Sequence, residues 1–138
     1  MNPRPVVVDQ EARQWEAWPA DQVVERGEAE WKTLISAGLT PSEGLTMGIG
    51  RLPKGGSLRS HRHEQAEAYL ILDGVAVLTI DGTARTVGPG VAVFIPGNAL
   101  HSVKATGESE LRLAYVLAAD SFDDVEYVFG DSEAGWSA

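Results

Sequence analysis

The sequence predicts an all-β fold, a single sandwich or barrel. Three observations carry this. Short segments rich in Val, Ile, Leu and Thr follow one another from residue 31, glycine-bearing turn clusters separate them, and no long stretch keeps a helical period. A chain of 138 residues with 43% apolar composition suits one globular domain around one core.

Residues 1 to about 30 differ from the rest. The stretch "DQEARQWEAWPADQVVERGEAEW" is charged, carries Trp15, Trp18 and Trp31, and is broken by Pro19. It reads as an N-terminal arm, extended or with a short helix, whose tryptophans dock on the main body or on a second subunit. Strands are expected at 31–37, 45–52, 58–63, 67–73, 75–80, 83–87, 91–95, 99–104, 110–118 and 125–129, with "PSEG", "PKGG", "GPG", "PGN" and "TGES" among the turns between them. The run "LDGVAVLTIDGTARTV" reads as consecutive hairpins, because Asp-Gly between apolar runs favours tight primed turns. The domain layout expected is an arm over 1–30, a barrel over 31–130 and a flexible tail over 131–138.

A net charge of −9 and a pI near 4.7 argue against a nucleic-acid partner, since phosphate binding needs clustered Lys and Arg. The absence of cysteine removes disulfides and thiolate metal sites. The opening "MNPRPVVVDQ" has a valine run too short for a signal peptide, and no apolar run approaches the roughly 20 residues that span a bilayer. A soluble cytoplasmic protein without a membrane partner is the expectation.

Within "HRHEQAEAYLILDG", His61, His63, Glu67 and Tyr69 are all odd-numbered. On one extended strand they share a face, while Leu70 and Leu72 point into a second apolar layer. Two imidazoles and a carboxylate on an enclosed face are what a divalent cation requires. A bare His-x-His pair is also compatible with a structural or solvent-facing strand. His101 decides between these readings: in "GPGVAVFIPGNALHSV" it follows an apolar strand and a Pro-Gly turn, and that layout brings it onto the same cavity.

These residues resemble the cupin family, of the small single-domain cupin_2 type. The first cupin motif is Gly, five residues, His-x-His, three or four residues, Glu, six residues, Gly. Gly55, His61, His63, Glu67 and Gly74 match it without a gap. The second motif is Gly, five residues, Pro-x-Gly, two residues, His, three residues, Asn. Gly90, Pro96 and His101 match it, with Asn98 in place of a glycine and Ala105 in place of the asparagine. Asn tolerates left-handed backbone, so the first departure is mild. The resemblance covers roughly residues 45 to 118. It implies a jelly-roll barrel (a double-stranded β-helix) holding a metal inside its mouth on His61, His63, Glu67 and His101, with two octahedral positions left open for water or substrate. Nitrogen and carboxylate donors without sulfur accept Fe, Mn, Ni, Co or Zn as divalent ions. The resemblance also implies a homodimer, for which residues 1–30 are the expected contact.

The fold does not give the function. The "ExY" arrangement of Glu67 and Tyr69 resembles that of single-domain cupin lyases acting on dimethylsulfoniopropionate. There a tyrosine two residues after the glutamate ligand is implicated in removing the proton next to the substrate carboxylate, which expels dimethyl sulfide and leaves acrylate. A second, C-terminal tyrosine is implicated too, for which Tyr127 is the candidate and Tyr115 the next. Trp31, Tyr69 and Tyr127 are candidates to hold a sulfonium through cation–π attraction. Arg112 would clamp a carboxylate if its face of "ELRLAYVLA" lined the cavity; a surface arginine is the simpler reading. Arg62, of opposite parity to His61 and His63, is expected outside. The readings that stay open are a metalloenzyme on a small carboxylate (lyase or Fe(II) dioxygenase), a non-catalytic binder of a small metabolite or sugar, and a structural barrel with a vestigial metal.

Overall fold

A computed structural model describes residues 2–130; the tail expected at 131–138 lies outside the described residues. Two antiparallel sheets face each other. The first has six strands in the order β1 (Glu16–Ala17), β2 (Glu30–Ile35), β3 (Thr46–Leu52), β10 (Leu111–Leu117), β5 (Glu67–Asp73), β8 (Ala92–Ile95). The second has five, in the order β11 (Val128–Phe129), β4 (Ser57–Arg62), β9 (His101–Ala105), β6 (Ala76–Ile80), β7 (Thr83–Val87). Ile71, Ile95, Val103, Leu111 and Leu117, each fully buried, fill the space between. This is an all-β jelly-roll barrel.

Most expected strands match the observed ones within a residue or two. The expected strand at 125–129 shrinks to β11, because a 3₁₀ turn at Phe122–Asp124, capped by the Ser121 hydroxyl, occupies the approach. One of the two Asp-Gly turns behaves as expected. Asp81 (φ 47°) and Gly82 (φ 84°) are both left-handed and join β6 to β7 as a primed hairpin. Asp73-Gly74 does not make a hairpin: β5 and β6 lie in different sheets, and the turn carries the chain across. Gly74 is required there by contact as well as by φ, since a Cβ would sit 2.6 Å from the Glu110 carbonyl oxygen.

Parity along β5 is as expected, but the outer layer is not. Tyr69 and Ile71 face the core, whereas Leu70 and Leu72 are 43% and 46% exposed on the outer face of the six-stranded sheet. No described segment covers that face at β5 and β8.

The arm wraps its own barrel. It contains β1, a short helix α1 (Val23–Arg26) and 3₁₀ turns at Gln10–Ala12 and Ala20–Gln22. Arg13 Nε donates to the Thr33 carbonyl at 3.2 Å, and the buried Lys32 ammonium donates to the Gln10 carbonyl at 3.2 Å. Trp15 is ringed by cations, with the Arg51 guanidinium 3.9 Å and the Lys32 ammonium 4.9 Å from its ring centroid. No helix among the described residues is long and apolar enough to cross a membrane.

Candidate metal centre

The odd-numbered run from His61 to Tyr69 does not lie on one strand. β4 ends at Arg62, residues 63–66 cross between the sheets, and Glu67 opens β5 in the facing sheet. The side chains meet because the sheets close on one another. His61 and His101 sit opposite each other on β4 and β9, with ring centroids 4.1 Å apart. A register shift between Leu58 and His61 breaks the alternation of β4, so that both residues line one cavity despite opposite parity. Asn98, left-handed at φ 66°, donates its backbone N–H to the His63 carbonyl at 2.8 Å and ties the loop before His101 to the loop after β4.

Local backbone aims each imidazole. His61 Nδ1 donates to the Arg59 carbonyl at 2.7 Å, His63 Nδ1 to the Gln65 carbonyl at 2.9 Å and His101 Nδ1 to the Ala99 carbonyl at 2.9 Å. A carbonyl only accepts, so Nδ1 carries a proton in each ring, and Nε2 is the atom left to face Glu67 or a metal ion. One nitrogen from each ring falls within 4.8 Å of the others. Glu67 Oε1 lies 3.2 Å from His63 Nε2 and 3.4 Å from His101 Nε2, and the latter nitrogen has no hydrogen-bond partner. His61, His63, Glu67 and His101 are at most 5% exposed. A buried carboxylate beside two imidazole nitrogens is costly unless a proton or a metal ion stands between them. The donor set therefore fits a divalent ion, and His61, His63 and His101 form a group able to hold one.

Burial, reinforced by His101, lowers the His61 pKa from 6.5 to about 3. For Glu67, burial pushes upward, but the contacts with His101 and His63 outweigh it and hold the carboxyl below the usual range. Both shifts have the same consequence for the metal-free protein. Between about pH 6.5 and 3 the unfolded chain binds a proton at His61 that the folded chain refuses, so stability rises with pH. The depressed Glu67 also contributes stability that is lost on acidification. The melting temperature of metal-free protein should therefore fall from pH 7 to pH 4.5, with His61 alone contributing up to about 1.4 kcal/mol per pH unit. A flat profile over that range would mean that His61 is already charged in the fold.

A cavity of about 60 Å³ opens beside the histidine cluster, lined among others by Trp18, Trp31, Glu67, Tyr69, Tyr115 and Tyr127. A larger, open depression of about 420 Å³ between β6, β7 and β8 has no His, Asp or Glu in its lining. Tyr69, opposite Tyr115 across β5 and β10, sits 6.4 Å from the His101 ring. Burial and then the Glu67 charge raise its pKa well above the ordinary value. The Tyr127 ring stands 5.3 Å from both His61 and His63.

Arg112 points the other way. Leu111, Leu113, Tyr115 and Leu117 take the inner face of β10, leaving Arg112 outside, where Nε donates to Glu110 at 2.7 Å and the guanidinium lies 5.4 Å from the Trp15 ring centroid. It cannot clamp a ligand in the cavity from there. Arg62, expected outside, is only 4% exposed, because α1 packs against β4 and β11 pairs along its end. Trp18 is the wall residue that sequence reasoning left with a packing role alone. Its ring sits 4.7 Å from Trp31 and 5.5 Å from Tyr127, bringing the arm into the cavity. The arm has no periodicity that could have signalled this.

The cupin domain family model matches residues 48–117, spanning all four clustered residues and most of the two sheets. The chain is a cupin. Among its relatives, dimethylsulfoniopropionate lyase DddW of Ruegeria pomeroyi is 42% identical over 103 residues, 75% of this cupin and 67% of the lyase. A 5-nitrosalicylic acid 1,2-dioxygenase of Bradyrhizobium sp is 31% identical over 80 residues, which are 58% of this cupin but only 37% of that enzyme. A cupin-2 domain protein of Rhodospirillum rubrum superposes with a TM-score of 0.74 over 96% of this cupin and 84% of its own chain, at 18% identity. That last likeness concerns the fold alone.

Proposed function

We propose that this cupin is a metal-dependent lyase that eliminates dimethyl sulfide from dimethylsulfoniopropionate or a close analogue. The observation that carries the reading is the 42% identity to a lyase of that name, combined with Tyr69 buried in the same cavity as the histidine cluster. In this reading Glu67 is the fourth ligand beside His61, His63 and His101. A bound divalent ion supplies positive charge that acidifies the carbon next to a substrate carboxylate and favours a nearby phenolate. Tyr69 accepts the proton from that carbon; its electron pair forms the new double bond, the carbon–sulfur bond breaks, and dimethyl sulfide leaves with those electrons as acrylate forms. Burial and Glu67 oppose the Tyr69 phenolate, so the base role needs a cation close by. Trp31 and Tyr127 offer aromatic faces for the sulfonium. A volume near 60 Å³ is small beside the roughly 300–1,000 Å³ of ordinary ligand clefts and favours a substrate of few atoms.

Tyr69→Phe should keep its metal content and lose elimination by at least about a hundredfold. Dimethyl sulfide and acrylate released by metal-reconstituted protein, with and without oxygen, measure this. Full activity in the variant would dismiss Tyr69 as the base. The dioxygenase relative supports a second reading, in which turnover consumes oxygen and requires Fe(II). Product formed anaerobically with Zn(II) excludes it. A ligand-dependent rise in melting temperature without product would instead make the protein a binder.

A further inference from the structure

Both sheets end on one side of the barrel. β7 is the last strand of the five-stranded sheet and β8 the last of the six-stranded one, and neither has a second neighbour. Pairing fixes which way β7 faces. Arg85 stands opposite Leu78 on β6, and Thr83 opposite Ile80. Residues paired in this way share a face of the sheet. Leu78 is a core residue, 3% exposed, so Arg85 and Thr83 also turn toward the facing sheet. Both are nevertheless exposed. The gap between β7 and β8 thus opens the barrel interior, and it is the depression of about 420 Å³, with buried Leu78 and Val87 in its lining and exposed Phe94 on its β8 side. It shares no lining residue with the cavity beside the histidines.

We propose that this gap binds an amphipathic monoanion, an unbranched alkyl carboxylate whose head group meets Arg85 and whose chain lies on the apolar floor. Charge identifies the head group. The lining holds no acid, and the Arg85 guanidinium makes no ion pair or hydrogen bond among the described residues. Asp81, four residues away, is taken up by the Leu100 amide, which donates to it at 2.9 Å. A guanidinium beside apolar surface, with no counter-ion of its own, complements a carboxylate that carries a hydrocarbon tail. Size agrees, since the volume falls within the roughly 300–1,000 Å³ of ordinary ligand clefts. The four residues of β8 extend about 13 Å, which sets the chain at about ten carbons. The same arginine argues against a protein strand as occupant, because an inward-pointing charge on an edge strand keeps other strands from pairing there.

Calorimetric titration of the zinc-loaded full chain with hexanoate, octanoate and decanoate should show one site that tightens by up to about fourfold per added methylene. Octanol, which has the tail without the charge, should bind at least about tenfold more weakly than octanoate. Arg85→Glu should weaken octanoate at least about tenfold and admit octylammonium in its place, with zinc content unchanged. Thr83→Trp fills the gap without touching Arg85 and should weaken decanoate by at least about tenfold. Octanoate binding that survives both substitutions would place the carboxylate at the histidine cluster and overturn the proposal. So would an affinity that does not change with chain length, or no binding of decanoate at all. Association of the chain that Arg85→Glu or Thr83→Trp abolishes would overturn it too, since the gap would then be a protein contact.

Discussion

His101→Ala should leave a folded barrel that binds divalent metal at least about a hundredfold more weakly, taking roughly 10–16 kcal/mol for a four-ligand site as about 3 kcal/mol per ligand. Beyond the metal site, removal of the ring frees the Ala99 carbonyl, takes away the 3.4 Å contact with Glu67 and leaves a small buried void. That loss costs about 1–3 kcal/mol, which a domain of this size tolerates. Elemental analysis after dialysis separates the two effects, with circular dichroism to verify folding. Glu67→Ala should behave alike. Unchanged metal stoichiometry in both variants would sink the four-ligand arrangement and the lyase reading that rests on it.

Gly48→Ala should be among the most damaging small substitutions outside the histidine cluster. Gly48 pairs with Thr33 on β2 and Tyr115 on β10, and an added Cβ would run into the Tyr115 hydroxyl and the Lys32 carbonyl. The carbonyl belongs to the sheet ladder and cannot yield, so Tyr115 must move and lose its 3.3 Å contact with the Thr33 hydroxyl. Overpacking of this kind costs about 3 kcal/mol, or roughly 10 °C in melting temperature for a domain of this length. Gly82→Ala is the contrast. Nothing lies within 4 Å of the added carbon there, and only the left-handed φ of 84° opposes it; about 1 kcal/mol is expected. A Gly48→Ala protein melting within two or three degrees of wild type would show that Tyr115 packs over β3 more loosely than these contacts require.

The clustered histidine positions and the strand pattern were legible because they are local. His-x-His, the following Glu and the Pro-Gly turn before His101 sit at fixed spacings, and period-2 alternation sorts Leu111, Leu113, Tyr115 and Leu117 to one face without further information. What was not legible depends on which sheet a strand joins. Asp73-Gly74 has the same turn chemistry as Asp81-Gly82, yet one crosses between sheets and the other closes a hairpin, and only long-range pairing distinguishes them. The same limit hid the sheet change between His63 and Glu67. Trp18 was out of reach for another reason. It arrives from an aperiodic arm, held by Arg13 and Lys32 bonding to main-chain carbonyls that sequence spacing cannot pair.

Each of the three imidazoles is steadied by a main-chain oxygen two residues away. Main-chain atoms survive replacement of the side chains they belong to. Residues around the cavity, from Trp18 to Tyr127, can thus be exchanged for others without disturbing how the rings point. A scaffold wired this way fixes the direction of three imidazoles independently of the cavity wall, so that wall can be varied by mutation while the histidine cluster keeps its shape.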